Sequence, residues 1–153
     1  MKIKGLISED FVNYKKTAMT IMFPYCTFKC GTEYCQKSPL AKTENIELDI
    51  SDIVIRYLNN PITEAVVMQG LEPFDSWNDL IKFTDCLRMS SNDDIVIYTG
   101  YNKEEIINKV CLLSNYKNII IKYGRYIPNQ EKHYDEVLGV YLASENQYAE
   151  RIS

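Results

Sequence analysis

Histidine, basic charge and long apolar runs are what this sequence has least of. One histidine, His133, leaves a histidine-built metal site or a histidine-centred triad without its central group, and it reads as an exposed loop residue. No stretch reaches the roughly 18 apolar residues that a membrane-spanning helix needs, so no membrane span is expected. The opening Met1-Lys2-Ile3-Lys4-Gly5 holds no apolar segment of signal-peptide length, which points to the cytoplasm. With 17 Lys and Arg against 21 Asp and Glu, the net charge is −4, and a general nucleic-acid surface is not expected. Internal repeats, low-complexity segments and linkers are also missing, so residues 1–153 read as one domain. Apolar residues, by contrast, make up 46% of the chain, enough for a core and too many for a disordered segment.

Cysteine is present in an odd number, five, and a reducing compartment makes disulfides an unneeded assumption. Three of the five fall within Cys26-Thr27-Phe28-Lys29-Cys30-Gly31-Thr32-Glu33-Tyr34-Cys35. The segment before them, Thr17 to Phe23, is rich in strand formers and is ended by Pro24. A strand thus delivers three thiols into a loop, and grouped thiols suit one soft metal centre better than a core. A closed structural zinc site needs four protein ligands. A cube-shaped iron–sulfur cluster held by three cysteines keeps one iron open. A small redox site, or zinc with a distant fourth ligand, is the alternative on these residues alone. Cys86 and Cys111 lie in apolar helical patterns and read as buried structural thiols.

Met1 to Ser8 reads as a lead-in strand, Glu9 to Lys16 as a polar loop, and Pro24 to about Glu44 as a long functional loop. The acidic run Glu44 to Asp52 approaches a helix that starts at Asp49 and turns Ile50, Ile53, Val54, Tyr57 and Leu58 inward. Glu64 to Gln69 reads as a buried parallel strand, and Ser76 as the N-cap of a helix packing Leu80, Ile81, Phe83, Thr84 and Leu87. Asp94 to Tyr98 is the next strand. Asn102 caps a helix with Ile106, Ile107, Val110, Leu112 and Leu113 on its apolar side. Asn118 to Lys122 and Leu138 to Ala143 complete the strands. Alternating strands and helices predict an α/β fold with a mostly parallel sheet. In such folds function gathers at the carboxyl ends of the strands. The cysteine loop, Gln69-Gly70-Leu71-Glu72-Pro73 and Tyr98-Thr99-Gly100-Tyr101 all fall there.

With these motifs in that order, the chain resembles the radical S-adenosylmethionine (SAM) superfamily. It is most similar there to the activating proteins of anaerobic ribonucleoside-triphosphate reductase. Phe11-Val12-Asn13 with Ala18 to Phe23 resembles their opening, and Leu142-Ala143-Ser144-Glu145-Asn146-Gln147 resembles their terminal element. The chain departs from the usual pattern at four places. Four residues separate Cys30 from Cys35, where two are usual, and Leu71 stands where a second glycine is usual. Gln36 replaces a frequent asparagine, and Tyr123-Gly124 replaces Asp-Gly. The chain spans over 3 Å per residue, so the wider cysteine spacing can still close on a cluster.

The resemblance implies an incomplete (βα) barrel of radical SAM type, with one 4Fe–4S cluster on Cys26, Cys30 and Cys35 at its mouth. SAM would bind the open iron through its amino and carboxylate groups. One electron through the cluster would split the sulfonium bond, giving methionine and a 5′-deoxyadenosyl radical. In the activating family that radical takes a hydrogen atom from a glycine of the reductase. Tyr34 would lie near the adenine, Gly70, Leu71, Glu72 and Pro73 near the methionine amino group, and Thr99 and Gly100 near the ribose or sulfonium. Asn146 and Gln147 would face the far side of the site. No catalytic residue beyond the cluster ligands is implied. The partners would be a glycyl radical enzyme, most simply anaerobic ribonucleotide reductase, and a flavodoxin- or ferredoxin-type electron donor. A radical enzyme acting on a small molecule or peptide, and a cluster-bearing electron carrier that never cleaves SAM, are the two other classes to weigh. About 150 residues favour the activating reading over an enclosed small substrate, since a full barrel takes roughly 250.

Overall fold

Four apolar runs at the centre of the chain become neighbouring strands of one sheet. The computed structural model describes residues 1–29, 31, 33, 35 and 38–153. Among these, the strands are β1 (Lys2–Ile3), β2 (Gly5–Asp10), β3 (Ala18–Phe23), β4 (Ile46–Glu47), β5 (Ala65–Gly70), β6 (Asp94–Tyr98), β7 (Ile119–Tyr123), β8 (His133–Asp135), β9 (Val140–Leu142) and β10 (Tyr148–Arg151). The helices are α1 (Ser38–Ala41), α2 (Ile50–Leu58), α3 (Trp77–Arg88) and α4 (Ile107–Leu113). The main sheet runs β10-β7-β6-β5-β3-β2. Neighbours from β3 to β7 are parallel, and β2 and β10 close the two edges antiparallel. The fold is therefore mixed α/β with a mostly parallel central sheet, and it is open: among the described residues no strand pairing closes it into a barrel. Two hairpin-sized sheets, β1-β4 and β8-β9, stand beside it.

The two faces of the sheet are built differently, and side-chain alternation shows how. Met19, Ile21 and Phe23 of β3, Val66 and Met68 of β5, Ile95 and Ile97 of β6, and Ile119, Ile121 and Tyr123 of β7 point to one face. That face packs against Ile53, Val54 and Tyr57 of α2, Leu80, Phe83 and Leu87 of α3, and Val110 and Leu113 of α4. The other phase, Ala18, Ala65, Val67, Val96 and Ile120, meets Tyr14, Leu138 and Leu142. No helix contributes to this second cluster among the described residues. Strands that follow one another across the sheet with right-handed crossovers put their helices on one side. The opposite face is left to loops and the β8-β9 hairpin, and this is where a cleft can form.

The structure adjusts several of the expectations. The lead-in strand breaks at Lys4 into β1 and β2, and β2 continues through Glu9 and Asp10, which were expected in a loop. Leu138 to Ala143 shortens to Val140–Leu142, which pairs with β8 rather than joining the main sheet. The last strand of the sheet is β10, hidden in sequence by its polar composition, Tyr-Ala-Glu-Arg. His133 is half-buried in β8, not exposed in a loop, because the hairpin folds down on the sheet. Ser76 stands at the N-cap position of α3, as expected, but its side chain makes no capping hydrogen bond: a 3-10 turn over Pro73–Ser76 precedes that helix, and the Glu72 side chain caps the turn by accepting from the Phe74 N–H. Leu58, Ile107 and Leu112 are exposed, at the solvent margins of their helices. Cys86 is only partly buried, and Cys111 is exposed, so neither is a core thiol.

Candidate functional site

Near the carboxyl ends of the parallel strands the inner face changes from apolar to polar. Ala65 and Val67 give way to Gln69, Val96 to Tyr98, and Ile120 to Lys122, each in the same side-chain phase. Tyr98 and Lys122 are register partners, as are Met22 and Gln69. A cleft of about 350 Å³ opens above this row. Cys26, Cys35, Gly70, Leu71, Glu72, Thr99, Gly100 and Gln147 all line it. The three loops expected at one rim therefore do meet at one site.

Glu72 joins two of them. Its side chain is 4% exposed and accepts from Thr99 Oγ1 at 2.8 Å, the Gly100 N–H at 2.9 Å and the Phe74 N–H at 3.1 Å. Burial pushes its carboxyl up to about 7, against the pull of those hydrogen bonds. Gly70 is fixed by its backbone, at φ +102°, and a Cβ there would stand 2.6 Å from the Phe23 nitrogen. Leu71 N–H donates to Phe23 O and Glu72 N–H to Tyr25 O, which ties this turn to the start of the cysteine loop. Pro73 is buried as the first residue of the 3-10 turn and lies outside the cleft lining, a place suited to its fixed φ and missing N–H.

The terminal element has a scaffolding part in this arrangement. Asn146 Nδ2 donates to Arg125 O at 2.8 Å, and Asn146 is exposed and outside the lining. Gln147 Nε2 donates to Gly124 O at 3.2 Å, while its Oε1 accepts from the Ala143 and Ser144 N–H groups. Together they hold the turn after β7, where Gly124 takes φ +98°.

Lys122 is the residue that the sequence reading passed over. It is 6% exposed, lines the cleft and donates from Nζ to Gly124 O at 3.0 Å. Burial lowers its ammonium to about 8, with the Glu72 carboxylate opposing the shift. A lysine in the inward phase of Ile-Ile-Ile-Lys-Tyr was the available signal. Asn13 was missed as well. It lines the cleft, its carbonyl accepts from Tyr98 Oη at 2.6 Å, and Asp10 binds its backbone and side-chain nitrogens.

Cys26 and Cys35 are both half-buried and both line the cleft. Cys30 and Tyr34 lie outside the described residues. Among the described residues no three His, Cys, Asp or Glu side chains are grouped to hold a metal ion. Two soft sulfur donors facing one cleft, with a third cysteine between them in sequence, fit an iron–sulfur cluster. The Cys26 sulfur already accepts from the Phe28 N–H at 3.2 Å, a contact of the kind that tunes such centres.

A mostly parallel sheet with two cysteines on the cleft at its carboxyl end defines the class: an α/β protein with soft sulfur donors at its site. Residues 15–148 match the family described as "4Fe-4S single cluster domain", and the chain belongs to that family. No curated protein and no solved structure matches it. Among the described residues no helix is long and apolar enough to cross a membrane.

Proposed function

We propose that this chain is a radical SAM enzyme that activates a glycyl radical partner, most simply an anaerobic ribonucleotide reductase. The observation that carries the proposal is the single cleft that joins Cys26 and Cys35 to Gly70, Glu72, Thr99, Gly100 and Lys122. At about 350 Å³ it has the size of a small-molecule site, commonly about 300–1,000 Å³. An electron carrier needs the thiols but has no use for such a cleft.

Cys26, Cys30 and Cys35 hold the cluster in this reading. When bound, a 4Fe–4S cluster supplies the electron that splits SAM into methionine and a 5′-deoxyadenosyl radical, which takes hydrogen from the partner's glycine. The remaining work belongs to the protein. Lys122 offers a buried positive charge to the carboxylate of the methionine moiety. Glu72 holds the Gly70 and Gly100 turns together and brings negative charge toward the ammonium. Gly70 and Gly100 let the ligand approach the backbone, and the resemblance assigns Tyr34 to the neighbourhood of the adenine. Gln147 braces the far wall, and Asn146 fixes the turn behind it. The open sheet, not closed into a barrel, leaves room for a loop of a large partner, and a flavodoxin- or ferredoxin-type protein would deliver the electron.

The test is to reconstitute the protein with iron and sulfide without oxygen, reduce it, add SAM and quantify 5′-deoxyadenosine. Production above a Cys26→Ala control is expected. A fully loaded, reduced protein that makes none, alone and with the candidate reductase present, overturns the proposal in favour of a carrier.

A further inference from the structure

Tyr101 ends the third loop, and none of the roles given above uses it. Its hydroxyl donates to Asp75 Oδ1 at 2.7 Å. The other carboxylate oxygen, Oδ2, accepts from the Thr27 N–H at 3.0 Å, immediately after Cys26. The Lys29 ammonium, immediately before Cys30, stands 5.0 Å from the Tyr101 ring centroid, and the Arg125 guanidinium stands 5.5 Å from it. Arg125 is held in turn by two 2.9 Å bonds to Glu105. Burial, and then the Asp75 carboxylate, push the Tyr101 phenol up to about 12, so it remains a donor at neutral pH.

Residues 27 and 29 of the cysteine loop thus reach the body of the protein through one Asp–Tyr pair. The first contact is a hydrogen bond to a carboxylate, the second a cation over an aromatic face. Asp75 comes from the turn that Glu72 caps, and Tyr101 from the loop that Glu72 binds, so both halves stand on the same buried support. A ten-residue loop carrying three ligands gains pre-organisation from such a fixed point.

We propose that Asp75 and Tyr101 form a clasp that sets the position of the cysteine loop, which makes both of them positioning residues for the cluster. The proposal rests on the reading of Cys26, Cys30 and Cys35 as the ligands. Asp75→Ala removes both carboxylate contacts. Tyr101→Phe removes only the hydroxyl and keeps the ring beneath Lys29 and Arg125.

Two measurements on the anaerobically reconstituted protein test it: the rate of iron loss to a ferrous-iron chelator, and amide hydrogen exchange read peptide by peptide. Outer contacts of this kind change metal retention by about 10- to 100-fold, so Asp75→Ala is expected to speed iron loss by about tenfold and Tyr101→Phe by less. Exchange at Thr27 should rise in both variants while β5 and β6 keep their protection, which a general loss of stability would not leave intact. Parent-like iron loss and parent-like exchange at Thr27 would overturn the clasp. So would faster exchange spread equally over β5 and β6. If the protein takes up no cluster, the ligand assignment fails, and the response of Thr27 in apo Asp75→Ala still decides the clasp.

Discussion

An ammonium ion under the inner face of a sheet works against folding unless something binds it. Burial lowers Lys122 to about 8, below its ordinary value. The unfolded chain therefore binds more protons between the two values, and the penalty is complete below about pH 8 and fades as the pH rises toward about 10.4. Lys122→Met should raise stability at pH 7 by on the order of 3 kcal/mol, with a smaller gain near pH 10, in urea unfolding of the apo protein. Glu72 acts in the opposite direction in pH: its raised carboxyl favours the folded state in acid, and that contribution is lost as the pH rises from about 4 through about 7. Two groups whose usual charge is opposed by burial in one cleft are the pattern expected of the site proposed above. The cysteines give a second residue-level test. Cys26→Ala and Cys35→Ala should each abolish the visible iron–sulfur absorption, and Cys86→Ala should keep it. Exposed Cys111 should tolerate alanine within about 0.5 kcal/mol in the same unfolding assay.

Elements hold together here through a few polar anchors as well as through the apolar strands. Asp94, at the start of β6, accepts from Tyr14 Oη at 2.9 Å, Lys16 Nζ at 2.7 Å and Arg151 at 2.9 Å. It thereby fastens the loop before β3 and the edge strand β10 to the middle of the sheet. Burial pushes its carboxyl up, but the bonds from Lys16, Arg151 and Tyr14 outweigh burial and hold it below the ordinary range. Its contribution is present above about pH 4 and is lost as the pH falls through its folded value. Lys16 and Arg151 are about two-fifths exposed, so screening trims the ionic part. Asp94→Ala should cost about 2 kcal/mol in thermal unfolding, and hydrogen exchange should show β10 loosening first. The same elements show what sequence pattern reveals. The apolar runs of β3, β5, β6 and β7 announced themselves, because strands buried on both faces need continuous apolar residues. Edge strand β10 did not, since one exposed side permits Glu150 and Arg151. Glycine and cysteine located the loops of the site, but Asp75, Asn13 and Lys122 act through contacts 12 or more residues away in sequence or through strand phase, and only folding brings these together.

At the scale of the whole molecule, the proposed function links cluster, ligand and fold stability. The cleft is lined both by the strand ends, with Gly70, Glu72, Gly100 and Lys122, and by the cysteine loop, with Cys26 and Cys35. A ligand that touches both the strand ends and a loaded cysteine loop would bind tightly only with the cluster in place. Any ligand that binds the folded state alone stabilises it by mass action. If the cleft takes SAM as proposed, SAM at about 100 times its Kd should stabilise the loaded protein by about 2.7 kcal/mol. For a chain of this length that is a rise in Tm of roughly 5–10 °C. The apo protein should show little rise, and loaded Lys122→Met should lose most of it despite its higher starting stability. The pattern separates the function classes without any turnover. An electron carrier gives no SAM shift in either state. A binding module that uses only the strand ends gives equal shifts with and without iron. A shift confined to the loaded protein requires cluster and cleft to act as one site, as cleavage of SAM would demand.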